Sequence, residues 1–302
     1  MPSLKTLFCA PMAGVSDKPF REMIRLYQNP PVFTTEMISV ESLIYRKTQQ
    51  NIRLLDLKNE PGLIVQLVGA TPSCFIKAAQ MAEKAGACQI DINMGCAVKK
   101  IISKKAGYRL TEDISAACDL ISSIKKAVSL PVSVKTRLVE NLPELAVRLQ
   151  EAGICSLCVH GRTPQESYDT PSHWDALAKL KEHLSIPLIV SGDIVDSASL
   201  EKALSVSHTD YAMIGRATFG TPWLFQKITT GQDNTKNIYE LMNLHLEKML
   251  SFYGTEIGLL NARKHLGWYL KHTDTPSSLK KSLLTEKNPT LVQHMILSAS
   301  EK

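Results

Sequence analysis

No apolar run in this chain approaches the ~18 residues a helix needs to cross a bilayer, so no membrane span is expected. No secretory leader is read either: residues 1–6 are polar and strand-like sequence begins at Leu7. The seven cysteines (Cys9, Cys74, Cys88, Cys96, Cys118, Cys155 and Cys158) are odd in number and irregularly spaced. That argues against a disulfide framework and fits a reducing cytoplasm. The histidines have no metal-ligand spacing, and the lone C-x-x-C at Cys155 and Cys158 has no partner pair, so no metal is expected. No G-x-G-x-x-G follows the first strand, which weakens a doubly wound dinucleotide-binding sheet. Internal repeats and low-complexity tracts are also lacking. The net charge of +6 over 302 residues permits a polyanionic partner without requiring one.

What is present is alternation. Short β-rich runs fall at residues 7–11, 32–36, 63–68, 89–93, 132–136, 157–160, 188–191 and 211–214. Several are near-continuous apolar stretches, as parallel strands covered by helices require. Amphipathic segments lie between them. Residues 71–86 put Phe75, Ala78, Ala79 and Ala82 on one face with Thr71 as N-cap, and residues 113–128 do the same with Ile114, Ala117, Leu120, Ile121 and Ile124. Gly86 and Gly153 are placed as helix stops. Eight β–α alternations predict an α/β fold, a (β/α)8 TIM barrel. Residues 229–235 read as a linker, after which strand signals cease and helical ones continue. The expected division is a barrel over residues 1–230 and a small all-helical C-terminal domain over 236–302.

In such a barrel the active site forms at the C-terminal ends of the strands, and these are unusually polar here. Ala10–Gly14 after the first strand offers small residues that let a flat ligand approach the backbone; a tight turn is the bland alternative. Gln66, inside an apolar strand, needs hydrogen-bond partners. The pyrimidine edge of a flavin would supply them, and so would a structural partner. Cys96 sits in a glycine-containing loop followed by Lys99, Lys100, Lys104, Lys105 and Arg109. A thiol there can donate a proton or act as nucleophile, and the cations suit an anionic polymer, though a solvated loop would also carry them. Lys135 and Arg137 share a strand face by the period of two, and an inward lysine suits the electron-rich edge of a flavin. His160 ends the neighbouring strand. Ser191-Gly192-Asp193 and Gly215-Arg216 occupy the usual phosphate position after the last two strands.

The segments Ala10–Gly14, Asp91–Lys100, Val134–Arg137, His160–Thr163 and Met213–Trp223 together resemble bacterial tRNA-dihydrouridine synthases, and Arg263–Lys271 resembles the helical domain of their B-type subfamily. The resemblance implies an oxidoreductase that reduces the C5–C6 double bond of uridine in the tRNA D-loop, with bound FMN and NADPH (or NADH) as reductant. It implies FMN contacts from Pro11, Met12, Ala13, Gln66, Lys135, His160, Ser191, Gly192, Asp193, Gly215 and Arg216, and Cys96 as proton donor. Asn93, Lys99, Lys100, Arg137 and Arg162 are assigned to the uracil and its RNA, and the helical domain to gripping tRNA. A cytoplasmic monomer is expected. Two positions depart from the family pattern: Ala97 stands where proline usually follows the cysteine, and Ser191 where asparagine usually opens the turn. A flavin barrel acting on a free pyrimidine is the main rival, but it has no use for the lysines or the helical tail.

Overall fold

The computed structural model describes residues 6–46, 53–233 and 237–300. The chain forms two compact units, one of Met1–Ala13 with Pro31–Gly215 and one of Gly14–Pro30 with Arg216–Lys302.

The first unit carries strands β1 (Leu7–Cys9), β2 (Val32–Phe33), β3 (Ile38–Ser39), β4 (Ile64–Val68), β5 (Gln89–Met94), β6 (Val132–Arg137), β7 (Leu157–His160), β8 (Leu188–Ser191) and β9 (Tyr211–Ile214). They form one parallel sheet in the order β2-β1-β9-β8-β7-β6-β5-β4-β3. The two ends of that order are consecutive in the chain, so β2 and β3 are halves of one interrupted barrel strand. Thr34 bridges Ile64, and the Thr35 N–H donates to the Ile64 carbonyl at 2.9 Å, joining the ends. The result is the TIM barrel expected from the alternation, with its second strand broken where one run over 32–36 was predicted.

Helices Pro72–Lys84 and Ile114–Ala127 bury the faces read from the sequence, except that Ile114 is only half-buried. Each buried Leu, Ile or Phe side chain there contributes roughly 1.5–3 kcal/mol and each alanine methyl less. Thr71 occupies the N-cap position but its side chain makes no capping bond. The Glu41 carboxylate instead accepts from the Ala70 and Thr71 N–H groups at 2.8 and 3.0 Å.

The second unit is all-helical. Helices Lys18–Ile24, Leu224–Thr230, Ile238–Tyr253, Thr255–Tyr269, Ser277–Thr285 and Pro289–Ser300 enclose a core that includes Met23, Trp223, Leu241, Leu246, Leu266, Leu283 and Ile296. Segment Gly14–Pro30 is fastened to it by Lys248–Glu22 at 2.8 Å and by the Tyr253 hydroxyl donating to Asp17 at 2.9 Å. The linker read at 229–235 starts inside the last turn of helix Leu224–Thr230, and residues 234–236 lie outside the described residues. Among the described residues no helix is long and apolar enough to cross a membrane.

Candidate active site

Parallel register decides which side chains share the barrel interior, because laterally paired residues point the same way. Gln66, Asp91 and Ser133 are in register across β4, β5 and β6, and Asn93, Lys135 and Cys158 across β5, β6 and β7. One layer further on, Arg137, His160, Ser191 and Met213 align at the C-terminal ends of β6 to β9. Ala10, Cys158, Ile189 and Met213 form a small apolar cluster, with Phe8, Met12 and Tyr211 packed against it. Burial pushes the Cys158 thiol up to about 12, only partly opposed by the positive charge of Lys135. This thiol stays protonated and inert at neutral pH.

A hydrogen-bond chain runs through the first two layers. The buried Asp91 carboxylate accepts from Gln66 Nε2 at 2.7 Å and from the Ser133 hydroxyl at 2.6 Å. Gln66 Oε1 accepts from Asn93 Nδ2 at 2.9 Å. Asn93 Oδ1 in turn accepts the N–H groups of Gly95 at 3.1 Å and Cys96 at 2.9 Å. Burial raises the Asp91 pKa, opposed by the hydrogen bonds from Ser133 and Gln66 and by the charge of Lys135. Each amide in the chain is thereby given one orientation. Gln66 keeps one N–H and one lone pair for another partner.

The Cys96 loop is held from above as well. Arg137 Nε donates to the Gly95 carbonyl at 3.1 Å and its Nη1 to the Thr163 carbonyl at 3.0 Å, tying the loop after β5 to the loop after β7. The exposed Tyr168 ring lies 5.7 Å from the Arg137 guanidinium carbon and meets the His160 ring edge-on at 6.1 Å. Cys96 itself is half-buried, and Lys99 and Lys100 are exposed on the four-residue helix Lys99–Ile102 that follows it.

The profile of the family described as Dihydrouridine synthase (Dus) matches residues 8–298 of this chain. The chain belongs to that family. It is 34% identical to tRNA-dihydrouridine synthase B of Pseudomonas aeruginosa over 87% of this chain and 83% of that one. It is also 34% identical to tRNA-dihydrouridine synthase B of Vibrio parahaemolyticus, over 91% and 89%. Among solved structures, an old yellow enzyme homologue from Zymomonas mobilis superposes with a TM-score of 0.56 at 13% identity, covering 78% of this chain and 91% of that chain, a likeness of fold.

The structure sorts the residues that the sequence reading put at the site. It brings Gln66, Asn93 and Cys96 into one bonded chain and sets Lys135, Arg137, His160 and the buried Ser191 on neighbouring strand ends. Gly192, at φ +115°, makes the turn beneath His160; a Cβ there would overlap the Ser172 hydroxyl and sit 3.4 Å from His160 Nε2. Pro11 and Met12 are half-buried and Ala13 exposed. Gly215 packs beside Ala10 and Met12. Arg216 is exposed and opens the C-terminal segment of the second unit.

Arg162 requires correction as an RNA contact. It is 1% exposed. Its Nη2 donates to both Asp193 oxygens at 2.6 Å and to the Tyr168 carbonyl at 3.1 Å, and its Nε donates to the Thr170 carbonyl. This guanidinium fastens the loop after β7 to the turn after β8 and offers no surface to a polymer. Asp193 is correspondingly a structural acceptor, also taking the Ser172 N–H at 2.9 Å. Sequence reasoning passed over Asp91, although the period of two puts it on the face of Asn93. It also passed over Tyr168, which carried no signal beyond a lone aromatic in a polar loop.

Proposed function

We propose that this chain is an FMN-dependent tRNA-dihydrouridine synthase that reduces a D-loop uridine at its C5–C6 double bond, with NADPH or NADH as reductant and Cys96 as proton donor. The observation that carries the reading is the thiol loop at the barrel mouth, with the Cys96 amide bonded to Asn93 and the loop bridged by Arg137. A loop so restrained suits a group that must meet one carbon of a substrate ring.

The residues present fit a flavin. An apolar cluster of Ala10, Cys158, Ile189 and Met213 lies beside the half-buried Lys135, and Gln66 retains one donor and one acceptor. That donor set matches a flat heteroaromatic group with an alternating polar edge and an electron-rich side. Pro11, Met12, Ala13, Gln66, Lys135 and His160 would hold the ring and its neighbourhood, and Ser191, Gly192, Asp193, Gly215 and Arg216 the phosphate side. When bound, FMN supplies hydride to the pyrimidine ring with electrons taken from the reduced nicotinamide. Lys135 would place its positive charge beside the electron-rich edge of the bound group. Cys96 holds the one proton the reduction needs at Sγ and releases it to C5, to be reprotonated from solvent. The second N–H of Asn93, held only by the weak acceptor Met37 Sδ at 4.0 Å, can turn to the uracil, and Arg137 keeps N–H groups not engaged by Gly95 and Thr163. The target base has to leave the tRNA stack to reach this depth.

Residues 1–230 carry this chemistry, with Gly14–Pro30 and Arg216–Thr230 among them belonging to the helical unit. The helices of 236–302 grip the tRNA, joined by Lys99 and Lys100 at the mouth. The enzyme acts as a cytoplasmic monomer.

The test begins with the visible spectrum of the purified protein and identification of the released cofactor. Flavin bands with released FMN, followed by NADPH-dependent dihydrouridine in an unmodified tRNA transcript, uphold the proposal. A colourless protein that takes up no added FMN overturns it. Reduction of free uracil or orotate without RNA moves the enzyme to the free-pyrimidine class. Cys96→Ala is expected to retain flavin and lose dihydrouridine formation, and wild-type turnover by that variant removes the thiol from its role.

A further inference from the structure

The Cys96 peptide is gripped on both sides. Its N–H is bonded to Asn93 Oδ1 at 2.9 Å, and its carbonyl accepts the Tyr108 N–H at 3.1 Å. The second grip comes from a segment twelve positions downstream. Gly107 precedes it, buried and at φ +64°, a left-handed torsion that glycine adopts without penalty. A Cβ built on Gly107 would overlap the Cys96 carbonyl oxygen and lie 3.1 Å from both Cys96 Cβ and Ile101 Cγ2. No side chain fits there while the thiol stays where it is.

The downstream segment has its own support. The 3-10 turn Gly107–Glu112 contains the buried Thr111, whose hydroxyl donates to the Tyr108 carbonyl at 2.7 Å. The Thr111 carbonyl accepts from Asn141 Nδ2, beyond the end of β6, also at 2.7 Å. Arg109 and Glu112 pair at 2.7 Å across the turn. The chain just after the thiol runs into the short helix Lys99–Ile102, where the Val98 carbonyl accepts the Ile101 and Ile102 N–H groups at 2.8 and 3.1 Å. Ala97 does not fix its φ as proline would, and Val98 is exposed.

We propose that the Gly107–Tyr108 segment is the second anchor of the thiol loop, making Gly107 a positioning residue for the proton donor. The proposal rests on the assignment of Cys96 above. Its physical content is that, with the turn braced by Asn141 and the Cys96 carbonyl in the path of any Cβ at position 107, added volume there displaces the thiol. A displacement of about 1 Å costs on the order of a hundredfold in a step that depends on alignment.

The test compares full-length wild type, Gly107→Ala, Cys96→Ala and the double variant, all loaded with FMN. Single-turnover experiments follow flavin reduction by NADPH, then flavin reoxidation by an unmodified tRNA transcript. Gly107→Ala is expected to slow the tRNA-dependent step about ten- to a hundredfold. FMN content, the NADPH step and the KM for tRNA should stay unchanged, and the rate of Cys96 alkylation, read by mass spectrometry, should change. In the Cys96→Ala background the glycine substitution should add nothing, because it acts only through the thiol. Equal losses in both half-reactions, an additive effect in the double variant, or a wild-type rate would each overturn the anchor. If Gly107→Ala does not fold, Asn141→Ala loosens the same turn without adding an atom. It should produce a smaller loss confined to the same step and absent without Cys96; a loss that persists without Cys96, or no loss, overturns the anchor. Wild-type turnover by Cys96→Ala removes the acid assignment itself. Loss of turnover in Cys96→Ala with none in Gly107→Ala removes only the anchor.

Discussion

Replacing Asp193 with alanine should destabilise the barrel unit more than replacing its partner Arg162 with methionine. The Arg162 side chain is 1% exposed and that of Asp193 31%. Arg162 Nη1 is already buried without a hydrogen-bond partner, so the guanidinium relies on the carboxylate for its charge compensation. Removing the carboxylate strands a cation out of water, an act that costs about 3–5 kcal/mol in buried pairs; the partial exposure of Asp193 points to the lower end. For a unit of this size that corresponds to a fall of roughly 6–12 °C in Tm. Removing the cation leaves an anion that water can reach, and methionine refills most of the arginine volume, so the penalty is smaller. The double replacement should recover part of the Asp193→Ala loss, since no charge is then stranded. Urea unfolding followed through Trp174, whose indole donates to the Gly192 carbonyl at 3.0 Å, reads this locality directly. The reasoning is refuted if Asp193→Ala unfolds at the wild-type midpoint, or if Arg162→Met costs more. Arg162→Met should also leave the salt dependence of tRNA binding unchanged, which separates a buried clasp from a surface contact.

Arg162 shows where sequence reading stops. It lies two residues past a strand end, among polar residues, and reads as one more cation at the mouth; its partner is 31 positions away. Nothing local announces a pairing that only strand order creates. The same holds for Asp91, whose partners Gln66 and Ser133 reach it through the register of β4, β5 and β6. What periodicity can see, it saw well. β7, β8 and β9 begin and end where their apolar runs do, and Gln66, Lys135 and Arg137 were legible because a polar side chain in a buried strand must be there for a reason. The break between β2 and β3 was not legible. There the buried Thr34, Thr35 and Glu36 interrupt the strand, and the Thr35 hydroxyl accepts the Gln66 N–H at 3.1 Å in place of a regular ladder bond. The grouping of Gly14–Pro30 with the C-terminal helices also left no local trace. It depends on pairings such as Lys248–Glu22, 226 positions apart.

Asp91→Asn should weaken FMN binding about tenfold, measured by fluorescence titration, because an amide cannot accept from both Gln66 and Ser133, and one buried group is left unsatisfied. An unchanged affinity would mean that the chain does not orient Gln66. Replacing the exposed Lys99 or Lys100 with glutamine should reduce the slope of log affinity for tRNA against log salt by about 0.7–0.9 for each phosphate that lysine neutralises; an unaltered slope removes it from the interface. The helical unit should lose stability in mild acid, and two histidines explain why. His245 and His265 are each 2% exposed, with rings 4.5 Å apart. Burial, aided by the charges of Lys248 and Lys264, holds His245 down to about 3, and burial with neighbouring His245 and Lys264 holds His265 well below its ordinary value. Unfolded, both titrate near 6.5. Above that pH neither state binds protons at these sites and stability is complete. Below it the unfolded chain takes up two protons that the folded unit refuses, so stability falls as pH falls, by about 3 kcal/mol between pH ~6.5 and ~5 for the pair. His245→Phe should roughly halve that slope, whatever constant penalty follows from leaving Tyr269 without its imidazole partner at 3.2 Å. Urea unfolding read through Trp223 and Trp268 at several pH values measures it, and equal slopes in wild type and variant would show that the pair does not set the acid response.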